Sequence, residues 1–236
     1  MSRTFLSVAV MALLILGVPA HSKPLVIHML SGSKEYESEE SLKLWSEHLT
    51  RNYGFQCSIS LGVDRASSIE NLEQLDQADL LVVFCRRWQL EGQQAKRIRD
   101  WCESGKPILG IRTASHAFQF FREFDREILG GDYQGHDGGG VEVHIARNEE
   151  NALHPILKEV SDWSRKGKLY FNPNIADDVV LLLSGKTEEN QAPVAWAREN
   201  GKQRIFYTSL GIPDDFRNEN FLRLLDNSLL WLAEQR

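Results

Sequence analysis

Two short stretches concentrate the side chains able to bind or transform a small molecule. Arg112, Thr113, Ser115 and His116 follow the apolar run at 106–111, and Arg86, Arg87 and Trp88 follow the apolar run at 79–85. Arginine presents a rigid fork of donors that matches a carboxylate or a pair of vicinal hydroxyls. Arg112, Arg86 and Arg87 are therefore candidate ligand anchors. His116 titrates near neutrality and is a candidate for proton transfer. So is His136, which sits beside Asp137 in a glycine-rich stretch. Trp88, next to two arginines, is a candidate stacking platform for a sugar ring. Tyr36, Thr113 and Asp215 complete the binding set, and Glu35 and the serines around Gly32 could line the pocket floor.

Other chemistries have weaker support. Ser115 and Cys85 are nucleophiles by type, but no G-x-S-x-G pattern puts either on a strained elbow. Cys57 and Cys85 lie in apolar runs, where cysteine usually acts as a small buried hydrophobe. With Cys102 they make an odd number, so structural thiols are expected and one bridge stays open. His116, His136, Asp132 and Asp137 could offer nitrogen and oxygen to a divalent ion. No H-x-x-x-H pair sets two of them on one helix face, so no metal and no cofactor are expected. His28 lies within a strand-like run and reads as a core residue, and His144 and His154 read as poor ligands.

The elements that must hold these groups alternate. Residues 24–30, 55–61, 79–85 and 106–111 read as strands, and the continuous apolar run at 79–85 suits a strand buried on both faces. Between them, Ser38 caps a helix with Leu42, Trp45 and Leu49 on one face, and Gly54 ends it. A second helix, 91–104, turns Ile98, Trp101 and Cys102 inward. A third is expected at 113–121, directly after the Arg112 turn. This alternation implies right-handed crossovers and a parallel sheet covered on both sides. Ligands of such sheets bind beyond the carboxyl ends of the strands, where the loops carrying Tyr36, Arg86, Arg112 and Asp215 should meet.

The second half is different. Six of the eleven residues from 130 to 140 are glycine, which marks an irregular loop long enough to fold over the site. Residues 141–147, 179–183, 193–198 and 204–209 read as strands. Asn218 caps a last helix with Phe221, Leu225, Leu229 and Leu232 inward. The remaining tryptophans, at 45, 101, 163, 196 and 231, fit core packing.

The bounds are set by the 236-residue length, a net charge of −6 and a 42% hydrophobic content. They suit one domain, residues 21–236, with a full core. Acidic balance and the lack of a basic stripe exclude nucleic acid as a partner. Residues 1–20 read as a signal peptide, with Arg3, an apolar run at 8–18 and a Val-Pro-Ala cleavage signal. A periplasmic or secreted protein without a membrane anchor is expected. The sequence carries no oligomeric state.

Five motifs carry a family resemblance over Leu25 to the C-terminus. They are KEYESEESL, DLLVVFCRRW, GKPILGIRTASHAF, LGGDYQGH and VAWARENGKQRIFYTSLGIPDDF. Together they are similar to the ThuA-like (trehalose utilisation) family, whose domain resembles class I glutamine amidotransferases. The resemblance implies a flavodoxin-like, three-layer α/β sandwich with a mostly parallel sheet. It also implies a role in carbohydrate metabolism, with a small glycoside or keto-sugar as ligand. Two positions depart from the related patterns. Arg112 stands where an amidotransferase carries its nucleophilic Cys, which removes Cys-based glutamine hydrolysis. Leu210-Gly211-Ile212 stands where many relatives read LGH. The expectation is a carbohydrate-active enzyme. The alternatives are a binding protein that kept the fold without the chemistry, and a metal-dependent hydrolase.

Overall fold

The computed structural model describes residues 23–201 and 203–234. The expected signal peptide lies outside the described residues. The first strand, β1 (Val26–Gly32), and the third, β3 (Leu80–Cys85), are buried almost throughout, as their continuous apolar runs require. Between them come α1 (Ser38–Tyr53) and β2 (Gln56–Leu61), and after them α2 (Gly92–Glu103) and β4 (Ile108–Ile111). Five strands then follow: β5 (Val141–Arg147), β6 (Trp163–Gly167), β7 (Val179–Lys186), β8 (Gln191–Asn200) and β9 (Gln203–Thr208). The last helix is α3 (Glu219–Ala233).

All nine strands form one sheet in the order β2-β1-β3-β4-β9-β8-β7-β5-β6. The ladders from β2 through β9 are parallel, and those from β9 through β6 are antiparallel. The sheet is mixed, which corrects the expectation of a mostly parallel one. Short connections explain it. Asn200 pairs with Gln203, and Lys186 pairs with Gln191. Loops this tight return the chain antiparallel, whereas a parallel return needs a crossover of a dozen residues or more.

Two apolar layers cover the sheet. On one face Leu42, Trp45 and Leu49 of α1 join Phe221, Leu225, Leu229 and Leu232 of α3 over Ile27, Met29, Val82 and Phe84. On the other, Ile98, Trp101 and Cys102 of α2 pack on Leu81 and Val83. Asn218 caps α3 by accepting from the amides of Asn220 and Phe221 at 2.9 and 3.2 Å. Gly54, at φ 69, closes α1 with its amide on the Thr50 carbonyl.

Two local expectations fail, each because a polar group found a different partner. Ser38 begins α1 but does not cap it. Its hydroxyl accepts from the Ser33 amide at 2.9 Å and bonds Ser31 Oγ at 2.9 Å, tying down the loop after β1. The helix expected at 113–121 is instead a 3-10 turn, Arg112–His116, and a bridge between Phe118 and Trp88. The Trp88 amide donates to the Ala117 carbonyl at 2.7 Å, and the Gln119 amide donates to the Trp88 carbonyl at 2.8 Å. Those are the backbone groups that an α-helix would have paired internally. A π-helical turn, Phe124–Leu129, follows.

Candidate active site at the carboxyl edge of the sheet

Strand β4 ends in an elbow. Arg112 has φ 47, a left-handed conformation that a side-chain-bearing residue holds only when its surroundings impose it. Here they do. The Arg112 carbonyl accepts from the Tyr207 hydroxyl at 2.9 Å and from Ser115 Oγ at 3.3 Å. Gly110 lets the turn close, because a Cβ there would sit 3.0 Å from both Leu129 and Tyr207. Strand, left-handed residue and helical turn together make the geometry that exposes a nucleophile in many α/β enzymes.

The Arg112 side chain is fully buried. Its Nη1 donates to the Ser209 carbonyl at 2.7 Å, and its guanidinium carbon lies 4.1 Å from the Tyr36 ring centre and 4.6 Å from that of Tyr170. Aromatic faces are favourable surroundings for a guanidinium. Among the described residues Nε and Nη2 have no hydrogen-bond partner. Arg165, from β6, is the second guanidinium here. Its Nε lies 3.6 Å from Asp215 Oδ1 and its Nη2 donates to the Lys168 carbonyl. Burial and the nearby Arg112 lower its affinity for its proton.

Four rings form the wall beside this elbow. His116 stacks on Tyr133 with centroids 4.8 Å apart, Tyr133 lies 4.7 Å from Tyr170, and His136 stacks on Tyr170 at 5.8 Å. The glycine-rich loop delivers Tyr133 and His136. It is latched to the segment before β7: the Gln134 amide donates to the Phe171 carbonyl and the Phe171 amide to the Gly135 carbonyl, each at 2.9 Å. Asp137 braces the latch from below, with Oδ1 accepting from the amides of Gly139 and Leu169. Tyr133 is held by Asp125, whose Oδ2 accepts its amide at 2.9 Å. Burial pushes the Asp125 carboxyl up to about 7.

Outside this wall lies a cavity of about 450 Å³, a size suited to a small ligand. It is lined by Arg65, Arg87, Gln89, His116, Gln119 and Tyr133. Burial lowers the His116 imidazole to about 3, and the positive charges of Arg86, Arg87 and Arg112 add to the effect. His116 is therefore neutral at physiological pH, with Nδ1 3.0 Å from Ser115 Oγ. It can give and accept hydrogen bonds, but it resists becoming an imidazolium.

The structure links Arg112, Tyr36, His116 and His136 through one row of packed rings, with Asp137 beside His136 at its far end, and puts Arg87 at the cavity with His116. It places the other sequence candidates differently. Arg86 is paired to Asp64 at 2.7 Å. Trp88 is fully buried, with Nε1 donating to the Val63 carbonyl at 3.0 Å, so its indole packs inside and offers no surface for stacking. Thr113 is fully buried. Asp215 accepts the amides of Gly211 and Ile212 at 2.7 and 3.0 Å and shapes the loop after β9. Tyr170, Arg165 and Asp125 were not singled out from the sequence, since no local pattern marks them.

The four side chains considered for a metal do not converge. Asp132 is engaged by Gln134 and Asn174, Asp137 by backbone amides, and Tyr133 and Tyr170 stand between His116 and His136. Among the described residues no group of three or more His, Cys, Asp or Glu is placed to hold a metal. The three cysteines are free thiols. Burial pushes Cys57 up to about 11, Cys102 up to about 12 and Cys85 well above its usual range. None of them is a thiolate nucleophile at neutral pH.

The parallel half-sheet, its two helical layers and the strand-end elbow define an α/β protein whose fold is similar to that of a glutamine amidotransferase. A glutamine amidotransferase from Thermotoga maritima superposes with a TM-score of 0.55 at 11% identity, over 90% of this chain and 100% of that one. Residues 25–232 match the ThuA family, described as trehalose utilisation, and the chain belongs to that family. A ThuA-like protein from Bacteroides uniformis superposes with a TM-score of 0.71 at 17% identity, over 92% of this chain and 95% of that one. One from Parabacteroides merdae gives 0.65 at 16% identity, over 89% and 90% of the two chains. These identities speak for the fold alone. No curated protein matches by sequence.

Proposed function

We propose that this chain is an exported member of the ThuA family that processes a small glycoside or keto-sugar in the cavity at the ends of β3 and β4. The observation that carries the reading is the meeting of Arg87, His116 and Tyr133 at that cavity, on backbone tied together from three loops. The Arg87 amide donates to the His116 carbonyl at 2.9 Å, so the backbones of the two loops are tied together. Arg87, Gln89 and Gln119 supply hydrogen bonds to hydroxyls, and the Tyr133 side chain, packed between His116 and Tyr170, supplies an apolar stretch of the cavity wall. His116 serves as a neutral hydrogen-bond partner. His136, exposed at the far end of the ring row, is the proposed acid–base group. Arg112 is a positioning residue, since its carbonyl anchors Ser115 and its guanidinium orders Tyr36 and Tyr170.

One observation favours a second reading, in which the protein binds carbohydrate without transforming it. The elbow position is filled by a fully buried guanidinium, which has no nucleophilic character. Mass-spectrometric product analysis after incubation with native and keto-disaccharides separates the two. New products that disappear in His136→Ala and Arg87→Gln support catalysis. Calorimetric binding without product identifies a binding protein. If turnover occurs and both variants match the parent, the site assignment is wrong.

A further inference from the structure

The cavity beside His116 carries two cations and no carboxylate. Arg65 and Arg87 line it with two glutamines, His116 and Tyr133. Among the described residues neither arginine forms an ion pair, and the nearby acids are already engaged. Asp64 is bound to Arg86 at 2.7 Å and Glu35 to Lys168 at 2.8 Å. The local charge is thus opposite to the net charge of −6 of the whole chain. A concave site of one sign concentrates ligands of the other.

The backbone points to the same place. Among the described residues six without a glycine's freedom have positive φ, and three of them are Arg65 (62), Arg87 (53) and Arg112 (47). Each such conformation is strained and persists where the surroundings enforce it, often at ligand sites. Here hydrogen bonds enforce it: the Arg65 amide donates to the Arg86 carbonyl at 3.1 Å, and the Arg87 amide to the His116 carbonyl at 2.9 Å. Two arginines on strained backbone, each with its amide hydrogen-bonded, line one cavity, which is costly to build as mere surface charge.

We propose that this cavity takes an anionic sugar, a glycoside bearing a carboxylate, with Arg65 and Arg87 on the carboxylate. Gln89 and Gln119 bind ring hydroxyls and the Tyr133 side chain borders the ring. The proposal rests on the carbohydrate reading above and sharpens its substrate class. Guanidinium forks suit both carboxylate and phosphate. The lining contains no glycine-rich turn of the sort that cradles phosphate with main-chain amides, which favours the carboxylate. The bound charge would also offset the positive charges of Arg86, Arg87 and Arg112, which add to burial in keeping His116 neutral.

Titration calorimetry of the purified chain tests it with methyl glucosides, galactosides and mannosides, each matched to its uronate, and with glucose 6-phosphate. One uronate should bind at least about tenfold tighter than its neutral partner, the factor expected of one charge-assisted hydrogen bond. The preference should shrink as salt is raised and in Arg87→Gln, less so in Arg87→Lys, and vanish in Arg65→Gln/Arg87→Gln. Equal binding of a uronate and its neutral partner overturns the anionic assignment and leaves the carbohydrate site standing. So does a preference that survives in Arg65→Gln/Arg87→Gln. Tighter binding of the phosphate overturns the carboxylate. If no sugar of either kind binds a protein with a normal melting transition, the carbohydrate reading falls as well.

Discussion

The guanidinium of Arg112 lies 4.1 Å from the ring centre of Tyr36, fully buried, on a residue held at φ 47. Stability alone does not account for this arrangement. A buried charge with two unpartnered donors is expensive, and replacing such a charge by an apolar side chain of similar size is often neutral or stabilising. Arg112→Met should therefore melt at or above the parent's temperature in calorimetry, while sugar binding or turnover weakens. A variant that loses more than about 2 kcal/mol of stability would make Arg112 a structural keystone.

Asp125 sets up a pH dependence. Its folded-state carboxyl is raised from 3.8 to about 7, so the native protein holds this proton where the unfolded chain has released it. Its contribution to stability is full below about pH 4 and declines as the pH rises to about 7. It stays lost above that, by at most about 4 kcal/mol. Asp125→Asn keeps an acceptor for the Tyr133 amide and removes the titration. Urea unfolding at a series of pH values should show the variant gaining on the parent between about pH 4 and pH 7, with the gap flat at higher pH. A constant gap across that range would show that Asp125 ionises normally.

How far the site was legible from sequence depends on where its information lies. Helix α3 was readable because its cap and inward face repeat at helical spacing, and β3 because a strand buried on both faces must be continuously apolar. His28 was readable as a core residue, and its ring nitrogens do sit 2.8 and 3.0 Å from Ser58 Oγ and Ser60 Oγ. The strand β6 was not. Trp163-Ser-Arg-Lys-Gly has no apolar alternation and exists only because β5 pairs with it. Tyr170 escaped for a similar reason, since its place between Tyr133 and His136 is set by pairing of residues 134–137 with 169–171. Trp88 misled in the opposite direction. Flanked by arginines in sequence, it nevertheless packs against Gly32 and Gly62, where an added Cβ would come within 2.4 and 2.8 Å of the indole.

The thiols give a simple check on the burial of the strand ends. Cys85 and Cys102 are buried and Cys57 is half-buried, with all three thiols raised by desolvation. A thiol reagent at neutral pH should label Cys57 slowly and the other two only after denaturant is added. Three thiols should then be counted per chain without reductant. Rapid native labelling of Cys85 would mean that the end of β3 is open to solvent. Fewer than three thiols in denaturant would reveal a bridge.

His116 offers the most direct reading of the electrostatics at the cavity. Its imidazole is lowered to about 3 by burial first and then by Arg86, Arg87 and Arg112. In a proton NMR titration its ring resonances should stay at their neutral positions from pH 8 down to about pH 5, where an ordinary histidine is already half protonated at about 6.5. Arg87→Gln removes one of these charges from the field without removing the burial. The midpoint should therefore rise but remain below the ordinary value. A normal midpoint in the parent would mean that solvent reaches the ring freely, leaving His116 available as an acid–base group. A midpoint unmoved by Arg87→Gln would mean that Arg87 points away from the cavity.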